Sequence, residues 1–154
     1  MVEITRHFTS SVYIVYENKV LLHQHKKLDI LLPPGGHILT NSNHDELPHE
    51  AAIREAKEEC GLDIEIYSYS KQEQFEDSSF EINTGEFCNV HFINPYHQHI
   101  DFVFIATSLN DIVKPGKGES KHWSWFTKEG IEEHTKIKPA VKKYALYALD
   151  RLKN

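Results

Sequence analysis

The chain has 154 residues, 40% hydrophobic and 26% charged, with a net charge of −6 and two cysteines. That is the length of one domain, residues 1–154, with enough apolar residues for a sizeable core. The negative charge excludes a broad nucleic-acid-backbone surface, the lack of a long apolar run excludes a transmembrane helix, and two cysteines make no disulfide framework.

The opening Met1–His7 has no signal-peptide pattern. A reducing, cytoplasmic setting with no membrane partner is the expectation. Phe8–Tyr16 reads as a strand, rich in β-branched and aromatic residues. Glu17-Asn18 is a tight turn, and Lys19–His25 returns as a second strand. Lys26 and Lys27 form a basic corner that a phosphate can reach, although a solvated turn is the commoner use of such charges. Ile30-Leu31-Leu32 precedes Pro33-Pro34 and then Gly35-Gly36, where small residues permit a turn and a close backbone approach.

After the loop 37–45, a helix is expected. Asp45 is a candidate cap, Pro48 suits the first turn and Gly61 suits the stop. Ala52, Ile53, Ala56 and Cys60 recur at helical spacing as a packing stripe. Glu55, Glu58 and Glu59 stand at i, i+3 and i+4 and share a face. Like charges so placed repel, by about 0.2–0.5 kcal/mol per pair on an exposed helix. A hard divalent cation converts that repulsion into binding, and carboxylate oxygens are what Mg²⁺ prefers. A solvated acidic face is the plain alternative, with Arg54 an ordinary salt-bridge partner of Glu50 or Glu58.

Ile64 and Ile66 begin a strand, and the polar run from Ser68 to Gly85 is a strand end and exposed loop. Glu86–Ile93 is a further strand. His97–Ala106 is another, its apolar run from Phe102 suiting a central position. His97, His99 and Asp101 alternate and so face one way. With no further Cys or His at closed-site spacing, hydrogen bonding or substrate contact is favoured for them over a Zn²⁺ site. Lys114–Glu119 is a loop and Trp123–Phe126 a short strand. Pro139 opens a last helix that packs through Val141, Ala145, Ala148 and Leu152.

From Glu46 to Leu62 the sequence resembles the Nudix box: Glu46, seven residues, Arg54-Glu55-Ala56, any residue, Glu58-Glu59, any residue, Gly61-Leu62. It departs from the family pattern before Glu46. Nine residues separate Gly36 from Glu46 where the pattern has five, a four-residue insertion around Asn41–His44, and Leu39 stands where many relatives carry an acidic residue. Loops accept such insertions at low cost.

The resemblance implies an α/β/α sandwich around a mixed β-sheet, and hydrolysis of a diphosphate linkage in a nucleoside diphosphate derivative. It implies Mg²⁺, with Mn²⁺ as substitute, held by Glu55, Glu58 and Glu59. Glu55 is ligand or general base, Arg54 orients a box glutamate, and Glu46 and Gly61 are structural. Some relatives add an acidic residue from the loop before the last strand; Glu119 is in that place here, ahead of Glu86 and Glu81. Gly35, Gly36, His97 and His99 are the expected substrate-contacting residues. The expected partner is a small nucleotide, with a capped RNA end within the range, and the expected state is monomer or homodimer. Two other classes stay open: a non-catalytic nucleotide-binding domain, and an isopentenyl-type isomerase, which would need a pocket cysteine.

Overall fold

The computed structural model describes residues 3–25, 28–41 and 44–153. Lys26 and Lys27 lie outside them, as do residues 42 and 43 of the insertion. In chain order the elements are β1 (Thr5–Tyr16), β2 (Lys19–Gln24), β3 (Leu31–Leu32), β4 (Gly35–His37), β5 (Thr40–Asn41), β6 (His44–Asp45), α1 (Pro48–Cys60), β7 (Ile64–Ile66), β8 (Phe87–Asn94), β9 (His97–Ser108), β10 (Trp123–Phe126), α2 (Lys128–Glu133) and α3 (Pro139–Arg151).

The main sheet runs β10-β2-β1-β9-β7, with β3 added on β2, β4 on β1 and β8 on β9. It is mixed. The two longest strands, β1 and β9, pair in parallel from Thr5↔His97 to Val15↔Thr107, and the other pairs are antiparallel. Both long strands are forked. β1 gives Val15 and Tyr16 to β2 but Thr9–Ser11 to β4. On its far edge β9 gives Ala106–Ser108 to β7 and residues 97–103 to β8.

Strand alternation sorts the core into two layers. Val12, Ile14, Phe104 and Ala106 join Ala52, Ala56 and Cys60 of α1. Tyr13, Val15, Val103 and Ile105 join Val141, Tyr144, Ala145 and Ala148 of α3. The result is the α/β/α sandwich. At β1, Val12–Val15 are at most 2% exposed, because both faces of that stretch are covered by helices.

The α1 packing face consists of Ala51, Ala52, Ala56 and Cys60, all fully buried. Small side chains let the helix lie close against β1, β4 and β7. Ile53, expected in the stripe, is instead 42% exposed; Ala51 takes its place on the sheet side. The cap also differs from expectation. Asp45 is held in the β5–β6 ribbon opposite Thr40, and the N-cap is Leu47. The Glu50 carboxylate reaches back to accept the Leu47 N–H at 2.8 Å, so the first turn caps itself. At the other end Gly61 adopts φ 73° and donates to the Lys57 carbonyl, the left-handed stop that glycine accepts without strain.

Gly35 and Gly36 form no turn. They are strand residues paired with Ser11 and Ser10, and neither has positive φ. Their smallness serves close approach: a Cβ on Gly35 would lie 2.5 Å from the Ser10 carbonyl oxygen. The short helix α2, capped by the Thr127 hydroxyl accepting from the Gly130 N–H, was not expected. With one buried residue, Ile131, it has no periodicity to read. Leu152 is the C-cap of α3 and is half-buried; Tyr144 and Leu149 complete the packing face.

Candidate active site

The sandwich presents the acidic face of α1 beside β4. Arg54 is its organiser. Its Nε and Nη2 donate to the two Glu46 oxygens at 2.7 and 3.1 Å. Its Nη1 donates to Glu55 at 2.8 Å and to Glu58 at 3.0 Å, and Nη2 also reaches the His37 carbonyl at 3.0 Å. Glu46 is buried and also accepts the Leu39 N–H at 3.0 Å. The planar guanidinium thus ties the start of the helix, its acidic face and β4 into one unit. The Glu46 hydrogen bonds hold Arg54 more firmly protonated than usual, against its partial burial.

Glu119 comes from far along the chain, and the way it arrives is legible in the backbone. The last carbonyls of a helix have no partners within it. Here the Lys114 N–H donates to the Cys60 carbonyl at 2.9 Å and the Gly116 N–H to the Glu58 carbonyl at 3.0 Å. The loop is strapped onto the end of α1, and the fit is close. A Cβ on Gly61 would meet the Lys114 carbonyl oxygen at 2.5 Å, and one on Gly116 would meet that of Glu58 at 2.5 Å. The Glu119 N–H donates to the Gly116 carbonyl at 3.2 Å, continuing the loop beyond the strap. Its charge is felt at both Glu55 and Glu59. Glu86 and Glu81 are engaged elsewhere: Glu86 accepts from the Tyr147 hydroxyl at 2.6 Å, and Glu81 from the Glu73 N–H at 3.1 Å.

The carboxylates crowd one another. Burial pushes Glu59 up to about 8, with Glu55, Glu119 and Glu58 adding to the rise and the Gly35 N–H, at 3.2 Å, opposing it. Burial also raises Glu55, against the pull of Arg54. The β4 backbone closes the site. A Cβ on Gly36 would lie 2.3 Å from the Glu55 Oε1. Carboxylates grouped so closely that their charges raise Glu55 and Glu59 are the donor set a hard divalent cation fits. Glu55, Glu58, Glu59 and Glu119 therefore suit Mg²⁺ in donor chemistry.

The other expected residues, His97 and His99, lie elsewhere, on the sheet face that α3 covers farther along. Parallel pairing sets His7 beside His99, and β4 sets His37 beside Thr9. Four imidazoles meet: His7, His37, His97 and His99. Burial and the neighbouring rings depress His99 to about 4, and burial with His7 and His97 lowers His37. Asp101 does not join them. Its two oxygens accept from the Thr9 and Ser11 hydroxyls at 2.8 and 2.7 Å. His7 and His37 escaped the sequence reading because each becomes a neighbour of β9 only through strand pairings distant in sequence. The usable signal was the alternation of His7 with Thr9 and Ser11. Cys88 is exposed on β8 and Cys60 is buried against the sheet, so neither supplies the pocket cysteine an isomerase requires.

A family model described as NUDIX domain matches residues 5–147. A hydrolase of the NUDIX family from Clostridium perfringens has a solved structure 38% identical to this chain, covering 97% of it and 100% of its own length, with a TM-score of 0.84. A MutT protein from Methanosarcina mazei Go1 is 20% identical over 98% of this chain and 97% of its own, at TM-score 0.66. An ADP-ribose pyrophosphatase from Streptococcus suis is 17% identical over 97% and 94%, at 0.58; the last two likenesses concern the fold. No curated protein matches the sequence.

Proposed function

The chain belongs to the Nudix hydrolase family, and from that premise we propose that it cleaves a diphosphate linkage in a nucleoside diphosphate derivative, as a single domain over 1–154 and with Mg²⁺ as its metal. The observation that carries this is the acidic face of α1 beside β4: Glu59 accepts from the Gly35 N–H, Glu55 lies against Gly36, Arg54 bridges Glu55 and Glu58, and the Glu119 charge raises both Glu55 and Glu59. Bound there, the cation supplies positive charge against the diphosphate and makes the attacking water more acidic. Mn²⁺, another hard oxygen-seeking ion, substitutes.

The protein's own part is positioning and proton handling, as in phosphoryl transfer generally. Glu58, Glu59 and Glu119 hold the metal. Glu55 is a ligand or the base: Arg54 anchors its Oε1, leaving Oε2 to take the proton of the attacking water. The water oxygen bonds to phosphorus, the bridging oxygen departs with one phosphate, and the proton follows it. Arg54, fixed by Glu46, bridges Glu55 and Glu58 through one nitrogen and holds both carboxylates in place. Gly35 and Gly36 bring bare backbone to the reacting phosphates. The substrate is a small nucleotide or a capped RNA end, and a cytoplasmic location accords with two unpaired cysteines.

The test is hydrolysis across a panel of nucleoside diphosphate derivatives, with Mg²⁺ and with EDTA, products followed by chromatography. Metal-dependent cleavage of one class is the expected result and names the substrate. Silence across the panel from folded, Mg²⁺-binding protein would move the assignment to a non-catalytic nucleotide-binding domain.

A further inference from the structure

We propose that His7, His37, His97 and His99 form a second metal site, built of nitrogen donors, that takes a divalent transition metal of the Zn²⁺ type. The site is independent of the hydrolase reading and uses none of the α1 glutamates.

The four rings form a closed cycle. Their centroids are 5.3 Å apart for His7–His37, 4.9 Å for His37–His99, 5.0 Å for His99–His97 and 4.5 Å for His97–His7. Neighbouring planes stand at 67°, 77°, 72° and 85°, so each ring turns an edge toward the next. One ligating atom from each of the four lies within 4.8 Å of all the others. A tetrahedral Zn²⁺ with Zn–N near 2.0–2.1 Å holds its nitrogens roughly 3.4 Å apart. His7 Nδ1 and His37 Nε2 are already 3.3 Å apart, and the widest pair has about 1.4 Å to close, within reach of side-chain rotation.

The cycle is poorly satisfied without an ion. A 3.3 Å N···N separation is long for a hydrogen bond. His97 Nε2 is buried and has no hydrogen-bond partner, an arrangement proteins ordinarily avoid.

Donor type separates this site from the acidic one. Imidazole suits Zn²⁺, Ni²⁺ and Cu²⁺, whereas Mg²⁺ takes oxygen. The one carboxylate on the same strand face, Asp101, has both oxygens committed to Thr9 and Ser11. His7 and His37 are exposed while His97 and His99 are half-buried, so the ion enters from solvent and settles on a rigid floor. That floor is β9, paired on both sides by β1 and β8.

The experiment is Zn²⁺ titration calorimetry of the full chain with excess Mg²⁺ present, and Co²⁺ absorption as a readout of geometry. One Zn²⁺ per chain is expected, with intense tetrahedral Co²⁺ bands. The double variant H97A/H99A should weaken binding by at least about 100-fold, and so should H7Q/H37Q, whose exposed positions guard against a folding artefact. Glu58→Gln should leave Zn²⁺ binding within about two-fold, since it removes no donor of this site. Zn²⁺ binding that survives both histidine variants, or that is lost in E58Q, would place the ion on the helix glutamates and overturn the proposal. A weak, octahedral Co²⁺ spectrum would overturn it as well. These readouts require no turnover, so failure here and failure of the hydrolase assignment are distinguishable.

Discussion

Gly36→Ala isolates positioning from folding. The backbone at Gly36 tolerates alanine, having no positive φ. The atoms nearest the added Cβ are the far end of Glu55: Oε1 at 2.3 Å, Cδ at 2.6 Å and Oε2 at 3.0 Å. To restore ordinary contact the carboxylate must retreat by about 1 Å, which breaks its 2.8 Å bond from Arg54. That bond is charge-assisted and half-buried, a loss of about 1.5–3 kcal/mol if nothing replaced it. Arg54 keeps Glu46 and Glu58, water reaches the displaced carboxylate, and alanine recovers about 0.4–1 kcal/mol through the unfolded chain. A net loss near 1 kcal/mol remains, or about 2–4 °C in Tm for a chain of this size. Turnover responds far more, because a 1 Å misplacement of a reacting group costs about 10²-fold. Gly35→Ala is the contrast. Its Cβ meets backbone, the Ser10 oxygen at 2.5 Å and Ser11 Cα at 2.9 Å, so β4 itself must move from β1, at about 2–3 kcal/mol. The assay is thermal unfolding beside steady-state kinetics on the substrate that the panel identifies. Wild-type kcat in G36A, or a Tm loss in G36A equal to that in G35A, would refute the reasoning.

Three further outcomes are expected. Glu58→Gln lowers kcat by about 10²–10³-fold with Tm within about 2 °C, since its side chain is 57% exposed; wild-type-like turnover removes its role. Glu119→Gln lowers kcat by about 10–100-fold with the strap intact, and a silent change takes Glu119 out of the site. His23 is depressed to about 4, mainly by burial against Trp123, with His25 adding to the effect. Its neutral form is the one the fold stabilises, so its contribution is complete above the ordinary histidine value and is lost as pH falls from about 6.5 through 4. The Tm of wild type should therefore drop relative to His23→Gln between pH 7 and pH 4.5, and parallel curves would remove His23 as a source of acid sensitivity.

The parts legible in the sequence were those set by local spacing. Arg54, Glu55, Glu58, Glu59 and Gly61 lie within a few helical turns, so helical spacing alone showed the shared acidic face and the stop, while the metal-site reading of that face came from the resemblance. Glu46 was placed by resemblance, and the structure supplies its reason in the Arg54 fork. What was not legible depends on pairing. Asp45 has a good capping side chain, but it pairs opposite Thr40 in the β5–β6 ribbon and stays there. Ile53 fits the apolar period, yet the face that meets the sheet is narrow and composed of small residues, three alanines and Cys60. His7 meets His99 only because β1 and β9 run parallel across a crossover that no periodicity announces.

The strap at the end of α1 has a kinetic consequence. The Lys114 and Gly116 amides are held by the Cys60 and Glu58 carbonyls, so their exchange with solvent deuterium requires the loop to lift from the helix. The same lifting withdraws Glu119 from its three companions. Two backbone amides, distant in sequence from the box, thus report on the acidic site: their protection from exchange measures how seldom the site comes apart.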